Sequence, residues 1–249
     1  MTLRKPGVIL VTGGASGIGA AMVRHFTEAG HQVSIADIDV AGGESVADAS
    51  GGLFIRTDVS DFAANQAAVA QTVERFGGLD AVCLNAGIGG GGPLVGGDFD
   101  PDRYHRVIQV NLNGVVYGLN AALPALRARG GGAILVTSSL AGVWPSPFDP
   151  YYAAAKHGLI GLTRSVAGLL YQESITLNAI CPGFVDTPII AAGRERLIAE
   201  GIALADPAQV AAAAADILDS PDTGRAYEIQ AGRPARQVPL PDIEISRTS

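Results

Sequence analysis

The stretch Asp149–Gly158, DPYYAAAKHG, gathers two tyrosines, a lysine and a histidine in a chain of which only 16% is charged. Residues four apart on a helix share a face, so their side-chain ends can meet. Tyr152 and Lys156 have that spacing, whereas Tyr151 falls four before Ala155. A phenol titrates near about 10 and is a poor base at neutral pH, but a neighbouring ammonium favours its phenolate. The pair therefore suits proton exchange with an oxygen, Tyr152 acting as acid or base and Lys156 as its electrostatic support. Such a pair also arises by chance on many helices, so the surrounding elements must decide. His157 points about 100° away from Lys156 around the helix and reads as a surface or packing residue. Tyr151 reads as packing, with the wall of a substrate pocket as the alternative.

A second group of residues could hold a phosphate. Thr12–Gly19, TGGASGIG, follows an apolar run and leads into a helical pattern. Gly13, Gly17 and Gly19 would let the backbone turn tightly, approach a pyrophosphate and pack a helix on a sheet, with the helix N-terminus facing the anion. A glycine cluster alone is weak, but the strand before it and the helix after it supply the context it needs. The second apolar run ends at Asp37, 18 residues past Gly19. That is close to the spacing of about 20 at which an acid hydrogen-bonds the adenosine ribose hydroxyls. A carboxylate there repels a 2′-phosphate, and neither Ser16 nor Ile38 offers a cation, so the expected cofactor is NAD rather than NADP.

These groups need a scaffold, and the alternation along the chain provides one. VILVT, QVSIAD, LFIRTD, LDAVCLN, GAILVTSS, SITLNAIC and RAYEIQ are short β-branched or apolar runs separated by helical spacing. The pattern predicts an α/β fold, a Rossmann-type doubly wound sheet of about seven parallel strands with helices on both faces. Ile18, Met22 and Phe26 mark the apolar face of the first helix. One long helix is expected over about Pro101–Arg129 and another over about Pro150–Tyr171, the latter burying Leu159, Leu162, Val166 and Leu169. Gly87–Gly97, GIGGGGPLVGG, is too rich in glycine for regular structure and should be a loop at the carboxyl edge of the sheet, where such folds bind ligands. No linker argues for a second domain, so residues 1–233 read as one catalytic domain. Residues 234–249, with prolines at 234, 239 and 241, read as an extended tail.

The composition excludes several function classes. A net charge of −7 without a basic run gives no footprint for nucleic acid or an anionic membrane surface. The N-terminal apolar run is too short for a signal peptide or a span, which makes the cytoplasm the expected location. Cys83 and Cys181 lie in apolar runs without ligand spacing and read as buried reduced thiols, with no metal site.

Gly-x-x-x-Gly-x-Gly in TGGASGIG, then Asn85-Ala86-Gly87, then YAAAK from Tyr152 to Lys156 resemble the short-chain dehydrogenase/reductase family, in its compact single-domain branch of about 250 residues. The resemblance runs from Val8 to about Gly232. It implies that Asp58, followed by Val59, lies by the adenine, and that Asn85, Ala86 and Gly87 shape the site beside the fourth strand. Ser16 and Ile18 of the glycine turn would contact the dinucleotide, as would Pro182, Gly183, Val185 and Thr187 of PGFVDTP, which closes over the nicotinamide. Asn111 in VNLNG and Ser139, 13 residues before Tyr152, match the family's remaining catalytic positions. The implied reaction is hydride transfer between a carbinol carbon and the nicotinamide. Tyr152 would exchange the hydroxyl proton, its phenolate favoured by the Lys156 ammonium together with the positive nicotinamide. Ser139 would hold the substrate oxygen, Lys156 would hold the nicotinamide ribose, and Asn111 would hold a water linking Lys156 to solvent. Leu84 stands where relatives often carry asparagine, and AYEIQAG (226–232) departs from the usual ending, which weakens any inference about subunit number. A homodimer or homotetramer is expected.

Trp144, Phe148 and Phe184 are the expected substrate contacts, with Leu94, Val95, Pro145, Ile189 and Ile190 as further apolar candidates. Such a lining suits a hydrophobic secondary alcohol or ketone. Arg194 and Arg196 could anchor a carboxylate, with solvent exposure as the alternative. The rival reading is a catalytically silent dinucleotide-sensing regulator of the same fold, which would have no need of the full Asn, Ser, Tyr and Lys set.

Overall fold

The computed structural model describes residues 6–90, 94, 99–239 and 241. β1 (Val8–Thr12), β2 (Gln32–Asp37), β3 (Leu53–Arg56), β4 (Ala81–Leu84), β5 (Gly132–Thr137), β6 (Ile175–Pro182), β7 (Ala226–Ile229) and β8 (Arg236–Gln237) form one sheet in the order β3-β2-β1-β4-β5-β6-β7-β8. The first seven strands pair in parallel. β8 is an antiparallel edge strand pairing Glu228 with Arg236, so the start of the proline-bearing tail extends the sheet. Two residues are too few for a periodic signal, which is why the sequence suggests seven strands. The tail beyond Pro239 lies outside the described residues except for Pro241.

The central strands β1, β4 and β6 are buried along their whole length, as expected of parallel strands covered on both faces. The helices are α1 (Gly17–Glu28), α2 (Val40–Ser50), α3 (Phe62–Phe76), α4 (Pro101–Ile108), α5 (Gly114–Ala128), α6 (Pro150–Tyr171), α7 (Arg194–Ala199) and α8 (Pro207–Leu218). Met22 and Phe26 of α1 pack with Val210 and Ala214 of α8 in the core under one sheet face. Val69 of α3, Leu119 of α5 and Leu159 of α6 belong to the core on the other.

Two helix expectations need correction. The span 101–128 is helical but not uniform, because Gln109–Asn113 forms a π turn between α4 and α5. Within that turn Asn111 Nδ2 bonds the Val107 carbonyl four residues back, at 2.9 Å, while the rest of its amide faces the β4 loop. A π turn adds a residue to the helical turn and re-aims a side chain, commonly at functional positions. On α6, Leu159 is buried as expected, but Leu162 and Val166 are half-buried and Leu169 is 65% exposed. The buried face runs instead through Lys156, Ile160, Thr163, Ala167 and Leu170. Apolar residues occupy both faces of this helix, so periodicity alone selects the wrong stripe.

Asp39, Asp61, Asp100, Asp149 and Asp206 each cap a helix by accepting a first-turn N–H, and a proline follows the last three. Such a cap stabilises by about 1 kcal/mol. Leu84 fills the fold rather than a polar site, since it packs against Gly118 of α5, where a Cβ would come within 2.5 Å of Leu84 Cδ2. Cys83 and Cys181 are free, and burial pushes both thiols up to about 12, which leaves them protonated and unreactive at neutral pH.

Candidate active site

The carboxyl ends of β1, β4, β5 and β6 bring the expected residues to one edge of the sheet. At the end of β1 the glycine turn is defined by close approach. A Cβ on Gly13 (φ +67°) would come within 2.7 Å of Ala86 Cα, and one on Gly19 within 2.0 Å of the Gly13 carbonyl oxygen. Gly17, at φ +52°, lies against Thr187, so the segment after β6 reaches the turn. Ser16 caps α1 through no side-chain bond, and no acid occupies the first turn. In contrast to the helices capped by aspartate, α1 leaves its leading N–H groups and the positive end of its dipole for a ligand.

Asp37 closes this region on the β2 side. Its Oδ2 accepts the Ala15 N–H at 2.9 Å and its Oδ1 the Asp39 N–H at 3.0 Å. Each carboxylate oxygen has a second acceptor position left for a hydroxyl. Ile38 is exposed beside it. Arg56, the register partner of Asp37 on β3, is an exposed cation that the sequence reading did not consider. Asp58 accepts from both the N–H and the hydroxyl of Ser60 in the turn after β3, while Val59 is buried beneath Gly114. Bare backbone, helix N–H groups and a carboxylate together fit a dinucleotide.

Asn85 is the structural hinge of the site. Its Nδ2 bonds the carbonyls of Thr12 (3.1 Å) and Gly13 (3.3 Å), and its Oδ1 accepts the Thr137 hydroxyl. Thr12 Oγ1 accepts the N–H groups of Asn85 and Ala86. Gly87 must stay bare, for a Cβ there would lie 2.8 Å from Asn111 Oδ1 and 3.4 Å from Lys156 Nζ. Asn111, fully buried, clamps the same loop by accepting the Ile88 N–H at 3.2 Å and donating to its carbonyl at 2.8 Å. One acceptor position on Oδ1 is left for the water that the resemblance implies.

The candidate acid/base group is assembled from α6 and the end of β5. Ser138 and Ser139 end the strand with different duties. The buried Ser138 hydroxyl bonds the Lys156 carbonyl at 3.0 Å and anchors the helix. Ser139 hydrogen-bonds the Tyr152 hydroxyl. Lys156 is 2% exposed, donates to the Thr137 carbonyl at 2.8 Å, and holds its Nζ 5.4 Å from the centre of the Tyr152 ring.

Burial pushes Tyr152 up to about 12, against the hydrogen bond from Ser139, and the charge of Asp149 pushes it further the same way. Burial also pushes Lys156 down to about 8, with the neighbouring Cys181 acting in the opposite sense. Lys156 is still mainly an ammonium at pH 7, yet desolvation dominates at the phenol. The free chain therefore keeps Tyr152 protonated, and the expected phenolate calls for the positive nicotinamide beside the Lys156 ammonium.

The expected substrate contacts are open to solvent. Trp144 and Phe148 on the connection from β5 to α6 are 72% and 77% exposed, and Phe184 after β6 is 45% exposed. They stand at a rim instead of closing a pocket. Ile189 is also exposed, and Val95 lies outside the described residues. Arg194 makes a two-bond ion pair with Asp186, and Arg196 pairs with Glu200 and sits 6.0 Å over the Phe148 ring. Tyr151 packs with Tyr104 and Phe99 at ring separations of 5.1 and 5.9 Å, and His157 bonds its own helix at the Ala153 carbonyl. Among the described residues no cluster of His, Cys, Asp or Glu could hold a metal.

Residues that the sequence reading missed act mostly through backbone. Thr137 meets Lys156 with its carbonyl, a partner no side-chain type announces. Asp149 does carry a signal, the Asp-Pro that opens a helix three residues before Tyr152.

Known proteins resemble this chain in sequence and fold. The short chain dehydrogenase family model matches residues 7–197. A 2,5-dichloro-2,5-cyclohexadiene-1,4-diol dehydrogenase of Sphingobium indicum is 39% identical, covering 73% of this chain and 74% of its own. A cis-4-hydroxycyclohexanecarboxylate dehydrogenase of Sinomonas cyclohexanicum is 39% identical, covering 74% and 75%. Among solved structures, a 3-ketoacyl-(acyl-carrier-protein) reductase from Brucella melitensis complexed with NADH superposes with a TM-score of 0.83 at 30% identity, over 91% of this chain and 98% of that one.

Proposed function

The chain belongs to the short-chain dehydrogenase family, and from that premise we propose that it is an NAD-dependent oxidoreductase interconverting a cyclic secondary alcohol and its ketone. The observation that carries the reading is the convergence of Ser139, Tyr152 and the buried Lys156 beside a glycine turn with free helix N–H groups. The dinucleotide, when bound, supplies the hydride acceptor or donor and, in its oxidised form, a positive ring.

The chain's own groups do the rest. Gly13, Ser16, Gly17, Ile18 and Gly19 seat the pyrophosphate, Asp37 takes the adenosine ribose hydroxyls, and Asp58 and Val59 flank the adenine. Asn85, Ala86 and Gly87 leave room beside β4, and Pro182, Gly183, Val185 and Thr187 border the nicotinamide end. Ser139 orients the substrate oxygen and Tyr152 takes its proton during oxidation or returns it during reduction. The ammonium of Lys156 favours the phenolate in that step, and Asn111 passes the proton onward through a water.

The cyclic substrate is supported by relatives named for cyclohexadiene and cyclohexane alcohols. A neutral one is supported by the ion pairs that occupy Arg194 and Arg196, which leave neither as a ready anchor for a carboxylate. The choice of NAD rests on Asp37. We read residues 1–233 as one catalytic domain in a cytoplasmic homodimer or homotetramer. The exposed apolar Leu169 and Tyr171 on α6 support the oligomer, and no helix among the described residues is long and apolar enough to cross a membrane.

The test is initial-rate reduction of NAD and of NADP with cyclohexanol, cyclohexanediols, 4-hydroxycyclohexanecarboxylate and acyclic 2-alkanols. Faster turnover of the neutral cyclic alcohols with NAD is expected. A preference for NADP would remove the role of Asp37, and binding without turnover across the panel would favour the sensor.

A further inference from the structure

One side chain joins the acid/base helix to the loop after β4. Asp149 Oδ1 accepts the backbone N–H of Tyr152 at 3.2 Å, and its Oδ2 accepts the backbone N–H of Gly90 at 2.8 Å. Gly90 is held in the left-handed region at φ +90°, and its carbonyl accepts a bond from Arg103 of α4. Two residues earlier the same loop is clamped by Asn111 at Ile88. The segment Gly87–Gly90 is thus fixed at two points, one on the π turn and one on the cap of α6.

A helix cap needs only one acceptor, and serine or asparagine serves as well as aspartate. Two N–H donors on different elements need two acceptor oxygens. Asparagine offers one, and its NH₂ would meet the Gly90 N–H donor to donor. A carboxylate on a side chain of this length satisfies both.

We infer that Asp149 is a positioning residue for Tyr152, setting the separation between the acid/base phenol and the Gly87–Gly90 loop and so the seat of the alcohol oxygen. The inference rests on the reading of Tyr152 as the acid/base group. The Asp149 charge has a second effect, because it opposes phenolate formation together with burial. Among the described residues, the other groups facing this end of the site include Ser139 from the end of β5, Cys181 from β6, Lys156 from α6 itself and Arg103, which reaches the loop at Gly90.

Three variants of the full chain test it: Asp149→Ala, Asp149→Ser and Asp149→Asn. Serine and asparagine should recover the thermal stability lost in the alanine variant, since either caps α6. None should recover kcat, which should fall about tenfold in all three because the reacting atoms are no longer held in register. The acid limb of alcohol oxidation should move to lower pH by roughly half a unit, as loss of a negative charge makes the phenolate easier to form. Amide hydrogen exchange of the free chain reads the link without any activity. In the serine and asparagine variants the Gly90 amide should exchange at least about tenfold faster while the Tyr152 amide stays protected.

Recovery of kcat together with stability in the serine or asparagine variant would reduce Asp149 to a helix cap and overturn the inference, as would an unchanged Gly90 exchange rate. A wild-type chain that oxidises no alcohol with either cofactor would instead overturn the proposed function, and with it the positioning role.

Discussion

Asn111 and Lys156, on the floor of the cleft, are buried and bonded to backbone carbonyls, whereas Trp144 and Phe148 on its rim are largely exposed, with Phe148 touched by Arg196 of α7. The floor is held by the sheet itself. β5 supplies the carbonyl for Lys156 and the serine for Tyr152, and the β4 loop is tied to Asn111. The rim hangs on connections. On the proposed function, geometry for proton exchange is thus built in before a substrate arrives, which is how positioned groups gain most of their effect. On the same reading, selectivity falls to the exposed side chains of the rim. A substitution on the floor should act on kcat and on pH behaviour, and one on the rim on KM and substrate choice.

The largest effect should come from Tyr152→Phe, which deletes one oxygen from the floor. Turnover should fall by about 10³-fold or more, with NAD affinity by fluorescence titration within about twofold of wild type. Lys156→Met should lower kcat by about 10²-fold and also change stability. The sign follows from a folded-state value of about 8 against an ordinary 10.5. Between those values the unfolded chain holds a proton that the folded chain has released, so wild-type stability rises with pH through that window. Relative to the methionine variant, wild type should gain about 3 kcal/mol between pH 7 and 11, measured by urea unfolding. A difference independent of pH would mean that Lys156 is solvated in the free chain.

Asp37→Ser tests the nucleotide side of the floor. With the carboxylate gone and Arg56 across the register, the NADP-to-NAD ratio of kcat/KM should rise by roughly 10- to 100-fold. The smallest effect belongs to the rim. Trp144→Ala or Phe148→Ala should change kcat/KM for a cyclic alcohol by about tenfold or less, carried by KM, with Tm unchanged because neither ring is in the core. A rim variant that lowered kcat as far as a floor variant would erase the distinction between the two regions.

The same contrast governs what the sequence discloses. The glycine turn, Asp37 and the seven parallel strands are legible because each depends on residue types repeating at short, fixed spacing. Ser139 and Tyr152 meet because 13 residues of chain lead from the end of β5 into α6. The π turn at Asn111 is hidden, since one added residue in a helical turn leaves the apolar pattern almost unchanged. The buried face of α6 is misread because Leu162 and Leu169 are apolar without being core. Phe148 and Trp144 look like pocket walls by type, yet burial is a property of the connections around them. The protonation state of Tyr152 is the clearest case. Spacing reveals the helpful ammonium but not the desolvation of the free chain, against which the ammonium and the positive nicotinamide must act together.

That balance also supplies the most direct test, the pH dependence of kcat/KM for oxidation of a cyclic alcohol at saturating NAD, in wild type and in Tyr152→Phe. Burial holds the phenol near about 12 in the free chain, and the charges of Lys156 and of the oxidised cofactor must bring it down for it to act as a base. The account predicts a wild-type rate that rises about tenfold per pH unit to a plateau well below pH 12, with this limb absent from the residual rate of the phenylalanine variant. A flat wild-type profile, or the same limb in both proteins, would contradict the assignment of Tyr152 as the acid/base group.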